Sequence, residues 1–142
     1  VVRSRGLGDV YKRQLKKAID LGADFGISPG FETEILKYAQ ENKFSYIPGV
    51  STASEIISCL KFDCNFLKLF PAEPLGGISY LNSLSGPFPD VSFCPTGGIN
   101  SDNYLSWLSQ KNVLCVGGSW IAPKNDNNYD KIKKRALEVL NN

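Results

Sequence analysis

The chain has 142 residues, 42% of them hydrophobic and 21% charged, the proportions of a single globular domain rather than of a disordered segment. Its formal net charge of +2 is too slight, and its lysines too scattered, to indicate a nucleic-acid partner. Histidine is absent, which excludes His-based acid/base chemistry, Ser-His-Asp triads and His-containing metal sites.

No apolar run reaches the roughly 18 residues of a membrane span, and no basic-apolar-small leader is present. The cysteines at 59, 64, 94 and 115 form no C-x-x-C pair; three lie in or beside apolar runs, where thiols act as small buried hydrophobes. These features predict a soluble protein with reduced thiols in the cytoplasm. Methionine is also absent, including at position 1, so the chain is expected to be cut from something longer. Residues 1–14, Val1 to Gln14, are Arg-rich and aperiodic and are set apart as a non-native or disordered leader, leaving 15–142 to carry the fold.

From there the pattern alternates between helical and strand-like stretches. Leu15, Ala18 and Ile19 form one helical face closed by Gly22; Ala23 to Ile27 then runs as a strand into Ser28-Pro29-Gly30. Ile35, Leu36 and Ala39 mark the second helix, and Ser45 to Ile47 the second strand, ending at Pro48-Gly49. Thr52-Ala53-Ser54-Glu55 has the spacing of a capping box, with Ala53, Ile56, Ile57 and Leu60 as the expected buried face behind it. Asn65 to Phe70 is the third strand, and Ile78, Leu81 and Leu84 a short helix before Gly86-Pro87. Val91 to Cys94 leads into Pro95-Thr96-Gly97-Gly98, followed by a helix on Tyr104, Leu105, Trp107 and Leu108. Val113 to Val116 leads into Gly117-Gly118-Ser119. A closing helix places Ile132, Ala136, Val139 and Leu140 on one side and Lys131, Lys133, Lys134 and Arg135 on a solvated face.

Strands separated by helices require parallel pairing with right-handed crossovers, hence an α/β fold that is either an open doubly wound sheet or a barrel. Five βα units are too few to close a barrel of eight, which typically takes about 250 residues. Either the sheet is open, or three units lie outside this sequence.

Lys68 is the sharpest chemical signal. In Phe66-Leu67-Lys68-Leu69-Phe70, strand alternation puts Lys68 on one face between two aromatic rings and the leucines on the other. An amine among apolar neighbours tends to be neutral, and the neutral amine is what adds to a ketone. The alternative is a lysine whose stem covers apolar surface while its head reaches water. The second signal is the pair of turns Pro95-Thr96-Gly97-Gly98 and Val116-Gly117-Gly118-Ser119. Each follows an apolar strand and precedes a helix, so backbone N–H groups can approach an anion, with Thr96 and Ser119 as hydroxyl donors. In a barrel, phosphate commonly sits on the loops after the last two strands.

Six blocks together resemble the KDPG/KHG aldolase family, in order and with compatible spacing: Ile27 to Gly30, Ile47 to Thr52, Phe66 to Glu73 with Lys-Leu-Phe-Pro-Ala-Glu, Gly86-Pro87-Phe88, Phe93 to Ile99, and Gly117 to Trp120. The similarity runs from about Gln14 to the C-terminus. It implies a (β/α)8 TIM-type barrel in the parent protein, a homotrimer, and class I aldol cleavage of 2-keto-3-deoxy-6-phosphogluconate to pyruvate and glyceraldehyde 3-phosphate without metal or other cofactor. Carried over by position, it implies Lys68 as the Schiff-base lysine, Pro29 and Phe70 lining the pyruvate pocket, and Thr96, Gly97, Gly98 and Ser119 in the substrate and phosphate loops. Glu73 belongs to the shared motif without an assigned role. The family's general acid/base Glu and its carboxylate-holding Arg and Thr precede the first matched block, so these 142 residues are expected to turn over little substrate. Two other readings are a related aldolase, for 4-hydroxy-2-oxoglutarate or a phosphogalactonate-type keto acid, and a non-catalytic phosphate-binding module.

Overall fold

The computed structural model describes the backbone of residues 7–140 and the side chains of residues 12–140. Of the leader set apart on sequence, residues 1–6 lie outside the described residues; α1 (Leu7–Asp20) starts within the remainder. Leu15 of α1 is buried against Ile35 and Ala39 of α2 (Thr33–Glu41), with Ile19, Tyr38 and Phe44 around them. Between these helices runs β1 (Phe25–Ile27), which pairs in parallel with β2 (Ser45–Ile47). Among the described residues β1 has no partner on its other edge, and its Phe25 and Ile27 are 55% and 46% exposed.

At Pro48 the strand changes partners. Residues before it pair with β1, while β3 (Gly49–Val50) just after it pairs in parallel with β4 (Phe66–Leu69). Proline brings no N–H to the ladder, but its carbonyl accepts from the Lys68 N–H at 2.9 Å. β4 then pairs in parallel with β5 (Ser92–Pro95). The predicted strand Val113 to Val116 is reduced to two isolated parallel bridges, Val113 to Phe93 of β5 and Gly117 to Thr96 just past its end. One more residue lies between the bridges on this side than on β5, a bulge that interrupts the ladder.

The helices α3 (Ala53–Leu60), α4 (Gly77–Ser85) and α5 (Tyr104–Leu108) return the chain after β3, β4 and β5. α3 begins with the predicted capping box: the Glu55 N–H donates to Thr52 Oγ1 at 3.3 Å while the Glu55 carboxylate accepts from the Thr52 N–H at 2.8 Å. Its buried face departs from expectation. Ile56 and Cys59 are buried, whereas Ala53, Ile57 and Leu60 are exposed, because the core lies under the stripe three residues apart rather than under the broader one. The main core gathers Leu67, Leu69, Phe93, Leu81 and Trp107, all 0% exposed, each such side chain contributing about 1.5–3 kcal/mol by leaving water.

The final helix, α6 (Tyr129–Leu140), has no fully buried residue. Ile132, Ala136 and Val139 are half-buried as predicted, but Leu140 is exposed. Arg135, expected on the solvated face, instead turns inward: Nη1 donates to the Ile121 carbonyl at 2.9 Å and Nη2 to Asp126 at 2.5 Å. A charge pair with a nearby orphan carbonyl outweighed its place on the helical wheel. Among the described residues no helix is long and apolar enough to cross a membrane.

Candidate active site

β4 is the centre of the sheet β3-β4-β5. Its alternation is as sharp as its sequence: Leu67 and Leu69 are fully buried against the helices, while Phe66, Lys68 and Phe70 are half-buried on the opposite face. Lys68 Nζ lies 5.0 Å from the centre of the Phe70 ring. Across the two neighbouring strands, Lys68 is in register with Gly49 on one side and Cys94 on the other. The ion pairs among the described residues are Lys134–Glu138 and Arg135–Asp126, so no described carboxylate pairs with Lys68. Its nitrogen lies over the Phe70 ring, and no described carboxylate competes for it.

Pro29 reaches this strand through the backbone. It sits in the turn after β1, where Ser28 Oγ hydrogen-bonds the Gly30 carbonyl and meets Tyr46 Oη at 2.6 Å. That turn presses on Gly49, the neighbour of Lys68, so closely that a Cβ there would lie 2.1 Å from the Pro29 carbonyl carbon. Pro29 and Gly30 themselves border a cavity of about 310 Å³ with Phe31, Ile35 and Tyr46. Lys68 is not among its walls, so Pro29 and the lysine are linked by contact rather than by a shared cavity.

Phe70, Thr96, Gly97 and Gly98 do come together. The β4–β5 ladder continues past the strand ends: the Ala72 N–H donates to the Thr96 carbonyl at 2.8 Å and the Glu73 N–H to the Gly97 carbonyl at 3.0 Å. Gly97 packs on Phe70 and Pro71. Gly97 and Gly98 both have positive φ, +93° and +87°, a conformation open to glycine. Their N–H groups donate to no other group among the described residues. Consecutive free amides in such a turn form a concavity suited to an anion.

Thr96 Oγ1 is the buried side-chain oxygen or nitrogen that has no hydrogen-bond partner among the described residues. An unmet buried hydroxyl costs about 1–3 kcal/mol, which a bound ligand would relieve. Thr96 is bridged to Gly117, whose N–H donates to the Pro95 carbonyl at 3.0 Å, so the second Gly-Gly turn stands beside the first. Ser119 is exposed just beyond it. The Trp120 ring covers Gly118 and packs on Tyr104, with ring centres 5.9 Å apart.

Sequence reasoning assigned no role in the site to several neighbours. Cys94 was read as a buried hydrophobe, yet it is the register partner of Lys68. Its thiol hydrogen-bonds Cys115, which together with burial pushes Cys94 up and holds Cys115 down at about 7. Glu73, Asn103 and Trp107 form a polar cluster against Gly98. Strand register would have located Cys94; nothing local in the sequence signals the cluster.

The family model of KDPG and KHG aldolase matches residues 6–135. The KHG/KDPG aldolase of Escherichia coli (strain K12) is 43% identical over 139 residues, 95% of this chain and 65% of that protein. The 2-dehydro-3-deoxy-phosphogluconate aldolase of Dickeya dadantii is 43% identical over 131 residues, 90% of this chain and 62% of that protein. A crystal structure of KDPG aldolase from Legionella pneumophila, with pyruvate captured as a covalent carbinolamine, matches with a TM-score of 0.85 at 44% identity, over 89% of this chain and 63% of that one. The chain therefore spans a little under two thirds of the length of these relatives. Its parallel strands and intervening helices form part of the same α/β TIM-type fold.

Proposed function

The chain belongs to the KDPG/KHG aldolase family, and from that premise we propose that it supplies the Schiff-base lysine and the phosphate-binding turns of a class I aldolase. Its substrate is 2-keto-3-deoxy-6-phosphogluconate, cleaved to pyruvate and glyceraldehyde 3-phosphate. The observation that carries this reading is Lys68: half-buried, unpaired with any described carboxylate, and one strand away from a turn with free amides.

In this mechanism Lys68 Nζ adds to the C2 ketone to give a carbinolamine, and loss of water gives a protonated imine. When a base takes the C4 hydroxyl proton, the C3–C4 bond breaks and its electron pair moves into the imine, leaving an enamine and the phosphorylated aldehyde. Protonation at C3 and hydrolysis release pyruvate and the free amine. Phe70 walls the amine, Pro29 shapes the approach from β1, and Thr96, Gly97, Gly98 and Ser119 take the anionic end. None of the 142 residues is assigned as the base or as the carboxylate grip, so this stretch alone is expected to show little turnover, since such groups each contribute orders of magnitude in rate.

The test is reduction with borohydride in the presence of pyruvate, read by intact mass and peptide mapping. An adduct on Lys68 that is lost in Lys68→Arg supports the reading; adduct elsewhere or none at all overturns it. A second reading keeps the chemistry and changes the substrate to 4-hydroxy-2-oxoglutarate, favoured by relatives whose names pair the two activities. It predicts no competition by inorganic phosphate. We also carry forward a homotrimer for the full-length protein and a cytoplasmic location, tested by light scattering and by fractionation.

A further inference from the structure

We propose that Glu73 is a positioning residue for the anion end of the site, holding the Gly97-Gly98 turn at a fixed offset from Lys68. This rests on the reading of Lys68 and of the glycine turns given above.

Glu73 lies five residues beyond Lys68, on the segment that extends β4. Three contacts tie it to the turn. Its N–H donates to the Gly97 carbonyl at 3.0 Å. Its side chain crosses directly over Gly98, where a Cβ would meet Glu73 Cβ and Cγ at 2.5 and 2.6 Å. Its Oε1 accepts from Asn103 Nδ2 at 3.2 Å, and the same Nδ2 donates to the Gly98 carbonyl at 3.0 Å. Oε1 also accepts from Trp107 Nε1 at 2.8 Å, and Trp107 is fully buried in the core. Oε1 is thus anchored to a rigid core residue and, through Asn103, tied to the turn.

The consequence for the amides follows from peptide geometry. The Gly98 carbonyl held by Asn103 and the Gly97 carbonyl held by the Glu73 N–H belong to the peptide planes after each glycine. The first of these planes carries the Ile99 N–H and the second the Gly98 N–H, while the Gly97 N–H shares its plane with the Thr96 carbonyl held by the Ala72 N–H; with positive φ at both glycines, the turn amides have little freedom to swing away from a common anion. Glu73 touches neither the amine nor the anion in this arrangement. It acts by fixing the peptide planes that follow Gly97 and Gly98, while the Asn103 and Trp107 N–H donors both engage its Oε1.

Asn103 and Trp107 each need only an acceptor, so glutamine can replace the carboxylate if its Oε1 keeps that position. A purely structural residue would affect the whole site; a positioning residue should separate the anion end from the amine.

The experiment uses the 142-residue chain and its Glu73→Ala, Glu73→Gln and Asn103→Ala variants. Two quantities are read: affinity for inorganic phosphate by titration calorimetry, and yield of borohydride-trapped pyruvate adduct on Lys68. We expect Glu73→Ala to weaken phosphate at least tenfold with adduct yield unchanged, and Glu73→Gln to restore phosphate binding to within about twofold. Asn103→Ala, which keeps the Glu73–Trp107 bond, should weaken phosphate severalfold and covers the case in which Glu73→Ala does not fold. The proposal is overturned if phosphate affinity is unchanged in both alanine variants, if phosphate and adduct fall together, or if the unsubstituted chain binds no phosphate. Absence of adduct in the unsubstituted chain would instead sink the reading of Lys68.

Discussion

Lys68 of β4 and Cys94 of β5 are register partners in the parallel ladder, so their side chains leave the sheet on the same side. Cys94 in turn donates its thiol proton toward Cys115 on the next segment. The candidate amine therefore has one of a pair of interacting thiols as its register partner.

That pair predicts a selective pH profile for alkylation. The hydrogen bond from Cys94 holds the exposed Cys115 thiol at about 7 instead of 9.0, and only the thiolate reacts. Below that midpoint Cys115 is protonated and slow; above it the rate with iodoacetamide should reach its plateau. Cys59, pushed up to about 12 by burial, should stay unmodified until the chain unfolds. Peptide-level mass spectrometry against pH reads both, and Cys94→Ala should move the Cys115 midpoint back toward 9.0. A midpoint already there in the unsubstituted chain would count against the hydrogen bond.

Thr96→Val should separate stability from binding. Its hydroxyl is buried and unmet among the described residues, so an apolar replacement of the same shape is expected to leave urea stability unchanged or raise it by about 1 kcal/mol. Phosphate affinity should fall in the same variant. A destabilisation of more than about 1 kcal/mol would mean that the hydroxyl is satisfied in solution.

Gly49→Ala should be far more damaging than Gly30→Ala, although the two glycines lie side by side. A Cβ at Gly49 would run into backbone atoms of Pro29 and Gly30, while one at Gly30 meets nothing within 4 Å. Backbone cannot yield as a side-chain end does, so the first substitution should cost about 3 kcal/mol or more and reduce pyruvate trapping on Lys68. The second should stay within about 0.5 kcal/mol of the parent in chemical denaturation.

Acid should loosen α6. The Arg135 guanidinium, with the Asn128 N–H, holds the Asp126 carboxyl below its ordinary 3.8. A carboxylate depressed in the folded state stabilises it fully above the unfolded value, and that contribution fades as pH falls through the folded one. Hydrogen exchange of residues 129–140 should therefore speed up below pH 3.8 in the parent chain. In Asp126→Asn it should be faster at neutral pH and lose that acid step.

The sequence-level picture succeeded where the determining contacts are local or periodic. The alternation around Lys68, the capping box of Thr52 and Glu55, and the Gly97-Gly98 turn each depend on residues within a few positions of one another, whereas the helix expected directly after Gly117-Gly118 begins only at Tyr129. It failed where a distant partner decides. Glu73 owes its role to Asn103 and Trp107, thirty and thirty-four residues away, and Arg135 turns from solvent because Ile121 and Asp126 wait for it. Ile57 and Leu60 looked buried because they are apolar, but apolarity does not say which helical stripe meets the sheet. The break at Val113 to Val116 depends on a register offset against β5, which no single segment encodes.

Because Thr96 and Gly97 hang from the same ladder as Lys68, the spacing between nitrogen and turn is set first by the sheet. Thr96 lies two residues beyond the register partner of Lys68, about 7 Å at the usual rise of a strand. In the proposed reaction the barrel wall then works as a caliper: a keto acid with too few carbons between carbonyl and charge can engage one jaw or the other but not both.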